Sequence, residues 1–185
     1  MKRQWVLLAA VPVLGSVLLT LQRADQSESA SEVAPVALPR YIARDATLTR
    51  FDAEGAVALR GSASSVEYFD DDSGQARDLQ LELPSEEGGT QWQLSSPTGT
   101  MPAHEHRILL DGAVNARGEW PDTGEPLTLD TTQVWIDTDT HQFESREAVQ
   151  INSQSRTGNA VGMRVNWEER HLQLLHNVKM TYVAP

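Results

Sequence analysis

An all-β domain carried behind a short apolar N-terminal segment is the fold class that this 185-residue sequence predicts. Three observations predict it. Beyond Arg40 no stretch holds a helical period, whereas short runs alternate apolar and polar residues between Gly, Asp, Ser and Pro positions, as half-buried antiparallel strands do. One such run returns three times downstream. The N-terminal residues, by contrast, form an uncharged apolar run headed by two cations.

The recurring run is clearest in residues 54–69, EGAVALRGSASSVEYF. Val57 and Leu59 alternate with Ala58 and Arg60, Gly61 and Ser62 interrupt, and Val66, Tyr68 and Phe69 resume before the acidic turn at 70–74. Val57, Leu59 and Ala63 align with Ile108, Leu110 and Val114, with Phe143, Ser145 and Val149, and with Leu172, Leu174 and Val178. The copies stand 51, 35 and 29 residues apart, too unevenly for a solenoid. A sheet of related hairpins accounts for them.

Residues 4–22 are an uncharged run of 19 with ten Val or Leu, behind Lys2 and Arg3. On the insertion scale those ten contribute about −3 to −6 kcal/mol, and the run is close to the ~20 residues that span a hydrocarbon core. A cleaved signal peptide is the rival reading. It calls for a shorter apolar stretch ending in small residues, whereas this one ends in LQRADQ. We therefore expect a single-pass anchor over 1–23 with its N-terminus cytoplasmic, since Lys2 and Arg3 precede it. Residues 24–39, rich in Ser, Glu, Ala and Pro, read as a flexible tether, leaving 40–185 as the folded domain.

Within that domain the expected strands are 46–52, 56–61, 65–70, 77–83, 90–96, 98–101, 107–110, 113–117, 127–130, 133–137, 142–145, 149–153, 162–167, 172–175 and 178–183. Polar, turn-like connectors lie at 70–74, 86–89, 120–125, 137–141 and 167–171. Many short strands at this spacing predict a jelly roll, a sandwich or a barrel-like fold. Gly55, Gly61, Gly112 and Gly162 fall at strand starts or breaks, where a bulge, a tight turn or close backbone approach is expected.

Composition excludes several function classes. The segment 24–185 carries 26 acidic against 12 basic side chains, a formal charge of −14, the wrong sign for phosphate backbones; no nucleic-acid partner is expected. The absence of cysteine removes thiolate metal sites, thiol catalysis, disulfides and a lipoprotein anchor. His104 and His106 form an HxH pair that resembles half of a cupin metal motif, but PDTGEP at 121–126 supplies no companion histidine, so we expect a solvated loop and no metal. His171 and His176, five apart, fall on opposite faces of a regular strand. No serine lies in a GxSxG setting. No catalytic residue and no cofactor are nominated.

Taken together, the apolar N-terminal segment, Pro39 and Tyr41, Phe51, Asp52, Glu54 and Gly55, Ala63 with Val66 to Phe69, Trp92, Gly112 to Val114, LTLDT at 127–131, Gly162 with Met163 and the closing NVKMTY at 177–182 resemble the LptC family. The resemblance covers the whole chain through the order and spacing of its parts. It implies an open, twisted β-jelly roll of antiparallel strands like that of LptA, behind one N-terminal transmembrane helix in the inner membrane, with the domain periplasmic. The implied activity is to take lipopolysaccharide from the LptB/LptF/LptG transporter and pass it to LptA; a membrane-tethered scaffold without lipid cargo is the alternative.

On that footing alternation gives an inward, lipid-facing set: Leu59, Val66, Tyr68, Leu81, Trp92, Leu94, Leu110, Val114, Trp135, Phe143, Val149, Met163, Val165, Leu172 and Leu174, with Val178 beyond them. A slip of one residue would exchange the faces. The terminal strands are the expected partner edges: Ala46, Leu48 and Phe51 toward the transporter, and Val178, Met180 and Tyr182 toward LptA.

Overall fold

The computed structural model describes residues 38–52, 55–84 and 90–182. The expected anchor, the tether as far as Ala37, and Glu54 lie outside the described residues. Among the described residues nine strands follow one another: β1 (Tyr41–Phe51), β2 (Val57–Tyr68), β3 (Gly74–Pro84), β4 (Thr90–Met101), β5 (Arg107–Glu119), β6 (Pro126–Asp137), β7 (Gln142–Ser153), β8 (Arg156–Asn166) and β9 (His171–Tyr182). Each pairs antiparallel with its neighbours in sequence, giving one sheet in the order β1 to β9. β1 and β9 do not pair with each other, so the sheet is open. Among the described residues no helix is long and apolar enough to cross a membrane.

The strands are fewer and longer than expected. Residues 56–61 and 65–70 belong mostly to β2, 107–110 and 113–117 to β5, 142–145 and 149–153 to β7, and 172–175 and 178–183 mostly to β9. What the sequence suggests as strand ends are bends inside strands. Left-handed residues stand near the middles of β1 (Asp45, φ 49°), β3 (Asp78, 50°), β5 (Gly112, 96°), β8 (Gly162, 80°) and β9 (Asn177, 51°). Asp and Asn tolerate that region and glycine enters it freely. Pairing registers slip at the same level from β4 through to β9, as bulges make them do.

A row of bulges folds the sheet across its strands. Arg50 lies at the β1–β2 end, whereas Asp139 and His106 lie in turns at the opposite end, yet Arg50 Nη2–H donates to Asp139 Oδ1 at 2.8 Å. Arg50 Nη1–H also reaches the His106 carbonyl at 3.4 Å. A flat strand of this length would hold its ends ~40 Å apart. Trp92, near the start of β4, likewise meets Phe143, at the start of β7, edge to face at 5.0 Å. The doubled sheet encloses the core between its halves, with Leu59, Leu83, Leu110, Leu129, Ile136, Phe143 and Met163 fully buried.

Buried hydroxyls sit along the bend. Ser96 Oγ lies 2.7 Å from the Thr98 carbonyl and 2.8 Å from that of Asp111. Thr131 Oγ1–H donates to the Ala148 carbonyl at 2.9 Å, and Ser145 Oγ accepts the Glu147 N–H at 3.2 Å. These side chains replace ladder bonds that the bulges interrupt, which a buried carbonyl cannot forgo cheaply. Thr131→Val, nearly isosteric, removes one donor. It is expected to lower unfolding free energy by about 1–3 kcal/mol, read from denaturant midpoints, whereas exposed Thr132→Val should change it by less than ~0.5 kcal/mol.

Candidate functional site: the interior and its two edges

Register settles which side chains share the core face. Leu59, Leu81, Trp92, Leu94, Leu110, Val114, Phe143, Val149, Met163 and Val165 are buried together, and Val66, Leu172 and Leu174 pack half-buried against them. Tyr68 follows Val66 by two positions on the same face and stacks on Tyr41, its pairing partner, with centroids 5.0 Å apart. Trp135 is the correction. In β6 the buried positions are Leu127, Leu129 and Thr131 before the bulge and Val134 and Ile136 after it, so parity changes and Trp135 turns to the outer face. There Arg107 lies over its ring at 4.8 Å. Simple alternation cannot anticipate a parity change inside a strand.

Buried polar positions among the described residues are hydroxyls only: Ser96, Thr131, Thr138 and Ser145. The interior is therefore an apolar volume lined by hydrocarbon and aromatic rings. His104 and His106 are exposed in the β4–β5 turn, His104 at φ 58°. Among the described residues no three acidic or histidine groups gather as metal ligands.

The glycines take different roles. Gly112 and Gly162 supply the left-handed bends of β5 and β8, and a Cβ on Gly112 would also fall 2.6 Å from Pro97 Cγ. Gly55 closes the β1–β2 turn, donating to the Asp52 carbonyl at 3.2 Å. Gly61 lets Leu81 approach, its Cδ2 only 3.0 Å from where a Cβ would stand.

Exposed apolar side chains gather at the two edges. Among the described residues Leu38, Tyr41, Ile42, Leu48 and Phe51 lie on or just before β1, and Val178 and Tyr182 on β9, with Val161 on neighbouring β8 the exception. Leu48 is 57% exposed although it stands on the core face opposite Gly61, so the interior opens beside β1. Ala46 and Met180 are half-buried. Tyr41 and Ile42 were missed as edge residues because Asp45 looks like a boundary where it is a bend.

Beside β9, Arg156 lies 4.8 Å over Trp120 and 5.9 Å over Tyr182, and its Nη2–H donates to Asp122 Oδ2 at 2.8 Å. That hydrogen bond, then the guanidinium charge, holds the Asp122 carboxyl below its ordinary range. Hydrogen bonds from the Ser155 hydroxyl and N–H hold Glu125 low in the same way. Both contacts tie the β5–β6 turn to the β7–β8 turn and brace the surface beneath the edge strand.

A single antiparallel sheet folded over an apolar interior, with both edge strands unpaired on their outer sides among the described residues, defines an open β-jelly-roll domain. The family model described as lipopolysaccharide-assembly, LptC-related matches residues 7–183, and the chain belongs to this family. Among solved structures, it is similar to the crystal structure of LptH, the LptA-homologous periplasmic component of the lipopolysaccharide transport device from Pseudomonas aeruginosa. That similarity has a TM-score of 0.52 at 10% identity and covers 69% of this chain and 95% of that one. At this identity the likeness establishes the fold. No curated protein matches the sequence.

Proposed function

We propose that this protein is the lipopolysaccharide-binding relay of the export machinery, held in the inner membrane by its N-terminal segment with the β-domain in the periplasm. It takes lipopolysaccharide from the LptB/LptF/LptG transporter beside β1 and hands it to LptA beside β9. One observation carries the reading: an apolar interior opens at edge strands on which the exposed apolar side chains are gathered. An acyl chain of about a dozen methylenes costs on the order of 10 kcal/mol to expose, at ~0.8 per CH₂. A lipid with several chains therefore needs shelter across water, and the open edges let one shelter continue into the next.

Packing suggests where cargo enters. Phe143, Leu110 and Met163 already fill the middle, so acyl chains first meet the looser ends, Leu48 on one side and Leu172 and Leu174 on the other. A photocrosslinking residue at Leu48 or Leu174 is expected to capture lipopolysaccharide in cells, while outer-face Gln150 and Gln173, both away from the core face, capture none. Equal labelling of both faces, or none at either, would return the protein to the scaffold reading.

A further inference from the structure

The outer face of the sheet, opposite the core, holds a concave recess of about 540 Å³ over β1 to β5, within the ~300–1,000 Å³ of ordinary ligand sites. Two rungs of paired residues cross it. One is Thr47, Ser62, Gln80, Ser95 and Asn115. The other is Thr49, Arg60, Glu82, Gln93 and Arg117. Every outward side chain of both rungs is polar, and most are neutral hydroxyls or amides. Asn115 Nδ2–H donates to Asp130 Oδ1 at 2.6 Å, which fixes the amide and turns its carbonyl oxygen away from that bond.

Arg60 and Arg117 take part in none of the ion pairs found among the described residues. Glu82, directly opposite Arg60 in the register, forms no ion pair with it. The two arginines stand three strand spacings apart, ~14 Å. In a chain of net charge −11 they leave this recess with one more cation than anion, beside hydroxyl and amide groups that offer hydrogen bonds.

From this geometry we infer that the recess binds an acidic saccharide: a short, polyhydroxylated chain whose anionic groups reach Arg60 and Arg117 while its hydroxyls pair with the two rungs. Leu48, Gly61, Leu81 and Leu94 form the rung between these two and border the recess as well, but Leu81 and Leu94 are buried on the core face, so the recess presents little that an acyl chain or a hydrophobic peptide needs. Its floor from β2 to β5 is paired on both sides, so a free strand edge borders it only at the outer rim of β1. Guanidinium groups suit phosphate and carboxylate equally, so both anions belong to the proposal. Glu82, between the cations, accepts from sugar hydroxyls. This site is separate from the interior and does not depend on what the interior carries.

The test uses the full chain in detergent micelles, titrated with three probes: the phosphorylated oligosaccharide left when lipopolysaccharide is deacylated, an oligogalacturonate, and a neutral cello-oligosaccharide. At least one acidic probe is expected to bind and to shift the amide resonances of Ser62, Gln80 and Ser95. R60Q/R117Q, at exposed positions, should keep its unfolding midpoint and lose at least tenfold in affinity. The acidic probe that binds identifies the anion, phosphate or carboxylate. No binding by either acidic probe, equal binding of the neutral one, or unchanged affinity in R60Q/R117Q overturns the proposal. Crosslinking from Leu174, which lies away from the recess, reads the interior separately in the same variant.

Discussion

Replacing Phe143 with alanine is expected to cost about 3–5 kcal/mol of unfolding free energy, enough to take a domain of ordinary stability close to its unfolding threshold. Phe143 is fully buried and touches both halves of the folded sheet. Its ring meets Trp92 edge to face at 5.0 Å and stacks against Trp167 at 6.4 Å. β4 and β7 are not neighbours in the sheet, so the Trp92 contact is made only by folding. Truncation removes both the transferred surface and the packing that keeps the halves together. Trp135→Ala, on the outer face, should cost much less despite removing a larger side chain. Urea denaturation of the two variants checks the comparison. A larger loss at Trp135 than at Phe143 would show that the faces have been assigned the wrong way round.

The same pair of residues shows what sequence reveals about this fold and what it hides. Alternation found the core face at Leu81, Trp92 and Leu94 because the buried positions around them in β3 and β4 keep a period of two. It could not follow β6, where bulging between Thr131 and Val134 exchanges the faces. Gly61, Gly112 and Gly162 were legible as interruptions. That Gly112 and Gly162 bend a continuous strand was not, because a bend and a turn use the same residues. Asp45, Asp78 and Asn177 do the same work with side chains that also suit loops, so β1 read five residues short at its start. The apolar edges were half visible: Leu48, Phe51 and Val178 stand in recognisable strands, while Tyr41 and Ile42 needed the pairing with Tyr68 and Glu67 to be seen. The outer recess could not be read at all, since its rungs join five strands and exist only once the register is known.

Placing a carboxylate on the core side of β9 is expected to break the handover while sparing the fold. Val178 is 45% exposed and Tyr182 68% exposed in the free domain, so glutamate at both positions stays hydrated there and should change stability little. If a partner sheet adds to this edge, both side chains become buried against it, and an unpaired buried charge costs about 3–5 kcal/mol. Binding of LptA by V178E/Y182E should therefore fall by a factor of about 100 or more. Glutamate at Lys179 and Thr181, on the outer face of the same strand, keeps water around it in either state and should leave most of the affinity intact. Leu48→Glu on β1 provides the reciprocal case. It should keep LptA and weaken association with the transporter, because the proposed function sets the two partners at opposite ends of one open sheet. Pull-down of LptA and co-purification of the transporter, compared across the three variants, separate edge addition from general destabilisation. LptA capture that survives V178E/Y182E, with β9 still ordered, would mean that the partner docks somewhere other than this edge.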